Sequence, residues 1–176
     1  MKATLMGFLS LSFLAGMTAA PNGPAETDYK AMFARHWQIS KDFTLLVAEA
    51  MPAEGYDFKP TAEEMTFGQI MFHLAESNSE SFASVAGTKA LAKPSGTDKQ
   101  TVIKFLTDSF DQCAKDWAAT TPAQLDKTID IVDGAGARQT TQLEVILWAF
   151  TDTAHHRGQA EVYLRLKNIK PPRYRF

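Results

Sequence analysis

Three times in this chain a threonine stands three residues ahead of a glutamine or glutamate at the head of a long run with helical periodicity. The strings are Thr66-Phe67-Gly68-Gln69, Thr97-Asp98-Lys99-Gln100 and Thr141-Gln142-Leu143-Glu144. In a capping box the hydroxyl accepts the amide of the third residue while that residue's side chain reaches back, so each string marks where a helix begins. A further stretch, from about Thr27 to Met51, carries Met32, Ile39, Phe43, Leu46 and Ala50 on one helical face and is closed by Pro52 and Gly55. The second helix runs to about Gly87 on Phe67, Ile70, Met71, Leu74, Phe82 and Val85. The third reaches about Ala119 on Val102, Phe105, Leu106, Ser109, Phe110 and Cys113. The last continues to about Lys167, where Asn168 closes it and Pro171-Pro172 prevent resumption. Between Pro122 and Gln139, the run Thr128-Ile129-Asp130-Ile131-Val132 before Asp133-Gly134-Ala135-Gly136 reads as a small hairpin or an irregular loop. Four helices of roughly 20 to 27 residues predict an all-α four-helix bundle.

Composition narrows the function classes. The 176 residues are 45% hydrophobic and 22% charged, which suits one globular domain. With 18 Lys+Arg against 20 Asp+Glu the net charge is −2, so nothing recruits a polyanion and no nucleic-acid partner is expected. A single cysteine excludes an intrachain disulfide and the Cys-rich sets of structural zinc and iron–sulfur sites. Any metal must be held by carboxylates and the four histidines, His36, His73, His155 and His156. Cys113 falls on an apolar face and reads as a small buried hydrophobe. His36, between Met32 and Ile39, reads as a satisfied core histidine.

The first twenty residues carry one cation at Lys2, no acid, an apolar stretch from about Leu5 to Leu14, and then small residues. That is the layout of a secretory signal, and Gly7, Ser10, Ser12 and Gly16 dilute it too much for a membrane span. Met17 stands where a lipidated cysteine would have to be. The expected division is a signal peptide at 1–20, a Pro/Gly spacer at 21–26 and the bundle domain at 27–176. The expected location is outside the cytoplasm, periplasmic or secreted, with no membrane anchor after cleavage. The expected state is a monomer or a homodimer.

Stepping along the last helix by fours and threes gives Val145, Ala149, Asp152, His156, Gln159, Tyr163 and Leu166, a stripe with apolar ends and a polar middle. A carboxylate and an imidazole in the centre of a core stripe demand compensation. A divalent cation supplies it, since i, i+4 spacing lets Asp152 and His156 converge on one ion. His73 is the matching imidazole in the middle of another helix. Three protein ligands leave positions open for water or substrate. The i, i+3 spacing of His155 from Asp152 permits convergence as well, and a hydrogen-bonded network without metal is the other reading of the same residues.

The string His155-His156-Arg157-Gly158-Gln159, with Val162-Tyr163-Leu164-Arg165-Leu166 and Ile169-Lys170-Pro171-Pro172 after it, resembles the C-terminal signature of the DinB family, the DinB/YfiT-like metalloenzymes. Tyr56-Asp57-Phe58-Lys59-Pro60 is similar to the family's connection after its first helix. Phe67-Gly68-Gln69 through His73-Leu74-Ala75-Glu76 is similar to its helix-two histidine motif. The resemblance implies a bundle of up-down-down-up topology with a divalent ion held by three residues at one end. Carried over by position, the ligands fall on His73, Asp152 and His156, which excludes His155. Asp152 stands where the family often has histidine, which hardens the donor set. Zinc or nickel are the implied ions, with manganese or iron as further candidates.

The implied chemistry is metal-dependent hydrolysis or thiol transfer on a small molecule, through a metal-activated water or thiol. Glu76, three residues after His73, is the candidate general base. Arg157 and Gln159 are candidates to donate to Asp152 or to helix ends, and Tyr163 to line the pocket. The alternatives are an exported, non-catalytic bundle that binds metal or a small ligand, and an interaction domain without metal. Lys170 to Arg175 reads as a surface strap across the bundle.

Overall fold

The computed structural model describes residues 28–134 and 136–175. The expected signal peptide and spacer lie outside the described residues. Helix α1 (Tyr29–Ala50) opens at Asp28, whose carboxylate accepts the Ala31 amide at 2.9 Å. Helix α2 (Phe67–Ala86) opens on the full capping box: Gln69 N–H donates to Thr66 Oγ1 at 3.2 Å and Thr66 N–H to Gln69 Oε1 at 2.8 Å. It stops at Gly87, where φ is 72° and a side chain would be strained.

Helix α3 (Lys99–Ala119) starts one residue later than the sequence suggests. Asp98, not Thr97, is the cap, and its carboxylate accepts the Thr101 amide at 3.1 Å. The Thr97 carbonyl instead lies against Gly68, where a Cβ would be 2.2 Å from that oxygen and 3.2 Å from the Tyr56 carbonyl. A four-residue helix α4 (Pro122–Leu125) follows, with its own box between Thr121 and Gln124 and proline in the first turn. The sequence reading passed over it, although Thr121-Pro122-Ala123-Gln124 repeats the same signature.

Strands β1 (Thr128–Asp133) and β2 (Gly136–Thr141) pair antiparallel, from Thr128 opposite Thr141 to Asp133 opposite Gly136. The segment is therefore a hairpin and not an irregular loop. It runs straight into helix α5 (Gln142–Leu166), whose box is made by Thr141 and Glu144 and whose exit passes through Asn168 at φ 59°.

Helix α1 packs on α3 and α5, and α2 packs on the same two, so α1 and α2 lie across the bundle from each other although consecutive among the long helices. Every residue named above for the apolar faces of α2 and α3 is buried, Cys113 among them. Burial pushes the Cys113 thiol pKa up, which keeps the sulfur protonated and unreactive. Two indoles staple α1 to α3: Trp37 Nε1–H donates to the Phe110 carbonyl at 3.1 Å, and Trp117 Nε1–H to the Lys30 carbonyl at 3.0 Å. No described helix is long and apolar enough to cross a membrane.

Helix α1 corrects its expected face. Met32 and Leu46 are 41% and 37% exposed, and the buried line is Phe33, Trp37, Ser40, Phe43, Thr44, Val47 and Ala48. Two of these are polar because the Arg157 guanidinium, buried from α5, donates to Ser40 Oγ at 2.9 Å and Thr44 Oγ1 at 3.2 Å. That guanidinium also lies 4.7 Å over the Phe43 ring. Arg157 thus serves α1 and not Asp152. His36 is half-buried at the rim of a small hollow with Ile39, Ser40 and Arg157, and is not a core histidine. In α5, Leu166 is exposed and the deepest line passes through Ile146, Ala149, Thr153, Ala160 and Leu164. The stripe read from the sequence is therefore only partly in the core: Ala149, His156 and Tyr163 are buried, while Asp152 is half-buried. The C-terminal strap turns back on α1, where Tyr174 meets Phe43 edge-on with ring centroids 5.7 Å apart.

Candidate metal centre

Among the described residues, His73 of α2 and Asp152 and His156 of α5 each offer one donor atom within 4.8 Å of the other two. The i, i+4 pair comes from one helix and the third donor from its packed neighbour. Asn78 and Thr153 hold the two helices in register beside the site. Asn78 Nδ2–H donates to Thr153 Oγ1 at 2.9 Å, and that buried hydroxyl lies 2.9 Å from the Ala149 carbonyl.

The rings of His73 and His156 stand at 90° with centroids 4.9 Å apart. His156 Nδ1 lies 2.8 Å from Gln159 Oε1, an atom that only accepts, so this nitrogen carries a proton. His156 Nε2 is 3.4 Å from Asp152 Oδ1. Ser77 Oγ is also 3.4 Å from Asp152 Oδ2. Burial pushes the Asp152 carboxyl pKa up, but hydrogen bonding to His156, the charges of both histidines and Ser77 outweigh it and hold Asp152 below its ordinary value. The His156 imidazole is raised by Asp152 against its own burial.

A tetrahedral ion with donors about 2.0–2.1 Å away separates neighbouring donors by about 3.4 Å, so the spacing of Asp152 and His156 fits a shared cation. The donor chemistry, two nitrogens and one carboxylate oxygen, fits as well. His155 is exposed and outside the group, with Nε2 accepting from Gln159 Nε2–H at 3.1 Å. Gln159 therefore binds both histidines of the pair. Tyr163 does not face the triad: its hydroxyl donates to the Met65 carbonyl at 3.0 Å.

Glu76 lines a hollow of about 260 Å³ together with His73, Ser77, Glu80, Ser81 and Trp148. It forms an ion pair with Lys93, which also reaches Glu80 at 3.0 Å. The sequence reading missed Lys93, Asn78, Thr153 and Trp148. Lys93 and Asn78 meet their partners across loops or helices, where no local spacing announces them.

The profile of the DinB family matches residues 25–174. The chain belongs to the DinB family. Solved structures agree on the fold. A DinB-like protein of Bacillus subtilis superposes with a TM-score of 0.68 at 19% identity, covering 82% of this chain and 98% of its own. A DinB-like protein of Bacillus cereus gives 0.64 at 18% identity, with 81% and 95% covered. A conserved protein of Enterococcus faecalis gives 0.65 at 14%, with 80% and 98% covered. No curated protein matches the sequence significantly. Within this DinB chain, two of the three segments that carried the resemblance meet in space: Gly68 N–H donates to the Tyr56 carbonyl at 2.9 Å.

Proposed function

We propose that this DinB protein is an exported, divalent-metal-dependent enzyme that acts on a small molecule, as a hydrolase or a thiol transferase. His73, Asp152 and His156 hold the ion, and Glu76 is the general base. The observation that supports the reading is the convergence of one donor atom each from His73, Asp152 and His156, from two packed helices, within 4.8 Å of one another. The ion supplies Lewis acidity that lowers the pKa of a coordinated water or thiol. Zinc or nickel suits the two imidazoles, and the carboxylate admits manganese or iron.

Glu76 shares a hollow with His73, within reach of whatever enters it. Its ion pair with Lys93 fixes its direction. The same pairing favours a second reading, since Lys93 already occupies the carboxylate that would have to face a water. In that reading the protein binds metal or a small ligand without turnover. Assays of zinc- and nickel-loaded protein against carboxylic and phosphoric esters, and for thiol transfer to an alkyl electrophile, separate the two. The enzyme reading expects metal-dependent turnover, with Glu76→Gln keeping its metal and losing on the order of 10²- to 10⁴-fold in rate. A variant at full rate removes Glu76 from the reaction, and loaded wild type silent across the panel selects the non-catalytic reading.

A further inference from the structure

Of the three indoles in the chain, Trp37 and Trp117 are 2% and 3% exposed, while Trp148 is 54% exposed on the helix that supplies two of the three donors. Trp148 sits one turn before Asp152 and forms a wall of two hollows at once. The first is the hollow of His73 and Glu76. The second, about 340 Å³, lies between the hairpin and the first turns of α5, where Ile131, Val132, Thr140 and Val145 surround the other side of the indole. Its size falls at the lower end of small-ligand sites, about 300–1,000 Å³.

The chemistry of the second hollow is apolar. Glu144 reaches its wall but is already committed, accepting from Thr140 Oγ1 at 2.7 Å and Thr141 N–H at 2.8 Å as part of the helix cap. Arg138, the other charged residue of the wall, has its own partners. Val132, at 83% exposed, and Leu147, at 48%, leave further apolar surface in water around the indole. An occupant therefore gains by burying hydrocarbon, and Trp148 is the wall that this hollow shares with the hollow of His73.

We infer that the hairpin hollow seats the acyl or alkyl chain of an amphipathic substrate whose oxygen- or sulfur-bearing head group reaches the metal past Trp148. The inference rests on the metal reading above and names the class of molecule that reading leaves open. Trp148, Ile131 and Val145 select chain length and take no part in the reaction itself.

Zinc content of the full protein is measured first, and zinc-loaded protein is then titrated with acetohydroxamate and octanohydroxamate, which share a metal-binding head and differ in chain. Calorimetry and the emission of the exposed indole read binding. Octanohydroxamate is expected to bind at least about tenfold more tightly, since each buried methylene contributes about fourfold. Ile131→Asp, on the hairpin and away from the core, should abolish that preference and leave acetohydroxamate unchanged, and Trp148→Ala should abolish the preference as well. Equal affinities in wild type, or a preference that survives both variants, would overturn the inference with the metal site intact. Protein that takes up no zinc overturns the head-group half together with the proposed function. 1-Octanol, which needs no ion, then reads the hollow alone: a blue shift lost in Ile131→Asp keeps the chain seat, and no shift removes it.

Discussion

At the scale of single residues, the site is built on one imidazole held from both sides. Gln159 fixes the proton of His156 on Nδ1 at 2.8 Å, and Asp152 stands 3.4 Å from Nε2. Partners of this kind typically account for about 10- to 100-fold in metal affinity. Gln159→Ala should therefore weaken zinc by about tenfold in a competition titration with a chromophoric chelator while stoichiometry is kept. Unchanged affinity would mean that the ring needs no orientation from Gln159. Asp152 and His156 were legible in the sequence because i, i+4 spacing within a helix is a local fact, and His73 because it stands mid-helix in the string that resembles the family's helix-two motif. The role expected of Arg157 was misread, since it turns to the opposite side of α5, into Ser40 and Thr44.

At the scale of elements, caps were read better than faces. The boxes at Thr66 and Thr141 are local hydrogen-bond patterns and appear as spelled, whereas the box at Thr97 lost to a carboxylate one residue on. The face of α1 was assigned by counting apolar residues, which fails where a helix buries Ser40 and Thr44 to receive a guanidinium from a neighbour. Two glycines in the family-like strings also differ in kind. Gly68 lets the Thr97 and Tyr56 carbonyls approach the start of α2, whereas a Cβ at Gly158, mid-α5, meets nothing within 4 Å. Gly68→Ala should cost about 2–3 kcal/mol, from backbone that has to move. Gly158→Ala should gain about 0.5–1 kcal/mol from helix propensity alone. Urea unfolding of both variants checks the pair, and equal effects of one sign would contradict the assignment.

At the scale of the whole molecule, the bundle sets α2 and α5 side by side, so one half-buried triad draws donors from two rigid helices, and a hairpin stands at the head of the same α5. The order of helices around the bundle was not legible from local pattern, because it depends on which faces meet. It came instead from the family resemblance. Export belongs to this scale too. Fractionation of the native host should place a chain shortened by about the first twenty residues outside the cytoplasm. A full-length chain retained inside would end that claim.

The central claim is that His73, Asp152 and His156 hold one divalent ion and that His155 does not. The most direct test is elemental analysis with zinc titration of purified wild type beside His73→Ala, Asp152→Ala, His155→Ala and His156→Ala. Removing one of three donors leaves two, too few to keep the ion against water. One ion per chain is expected in wild type and His155→Ala, and less than about a tenth of that in the other three after dialysis. Wild type that stays empty after exposure to zinc, nickel and manganese, or a His155→Ala protein that loses its ion with the rest, would contradict the account.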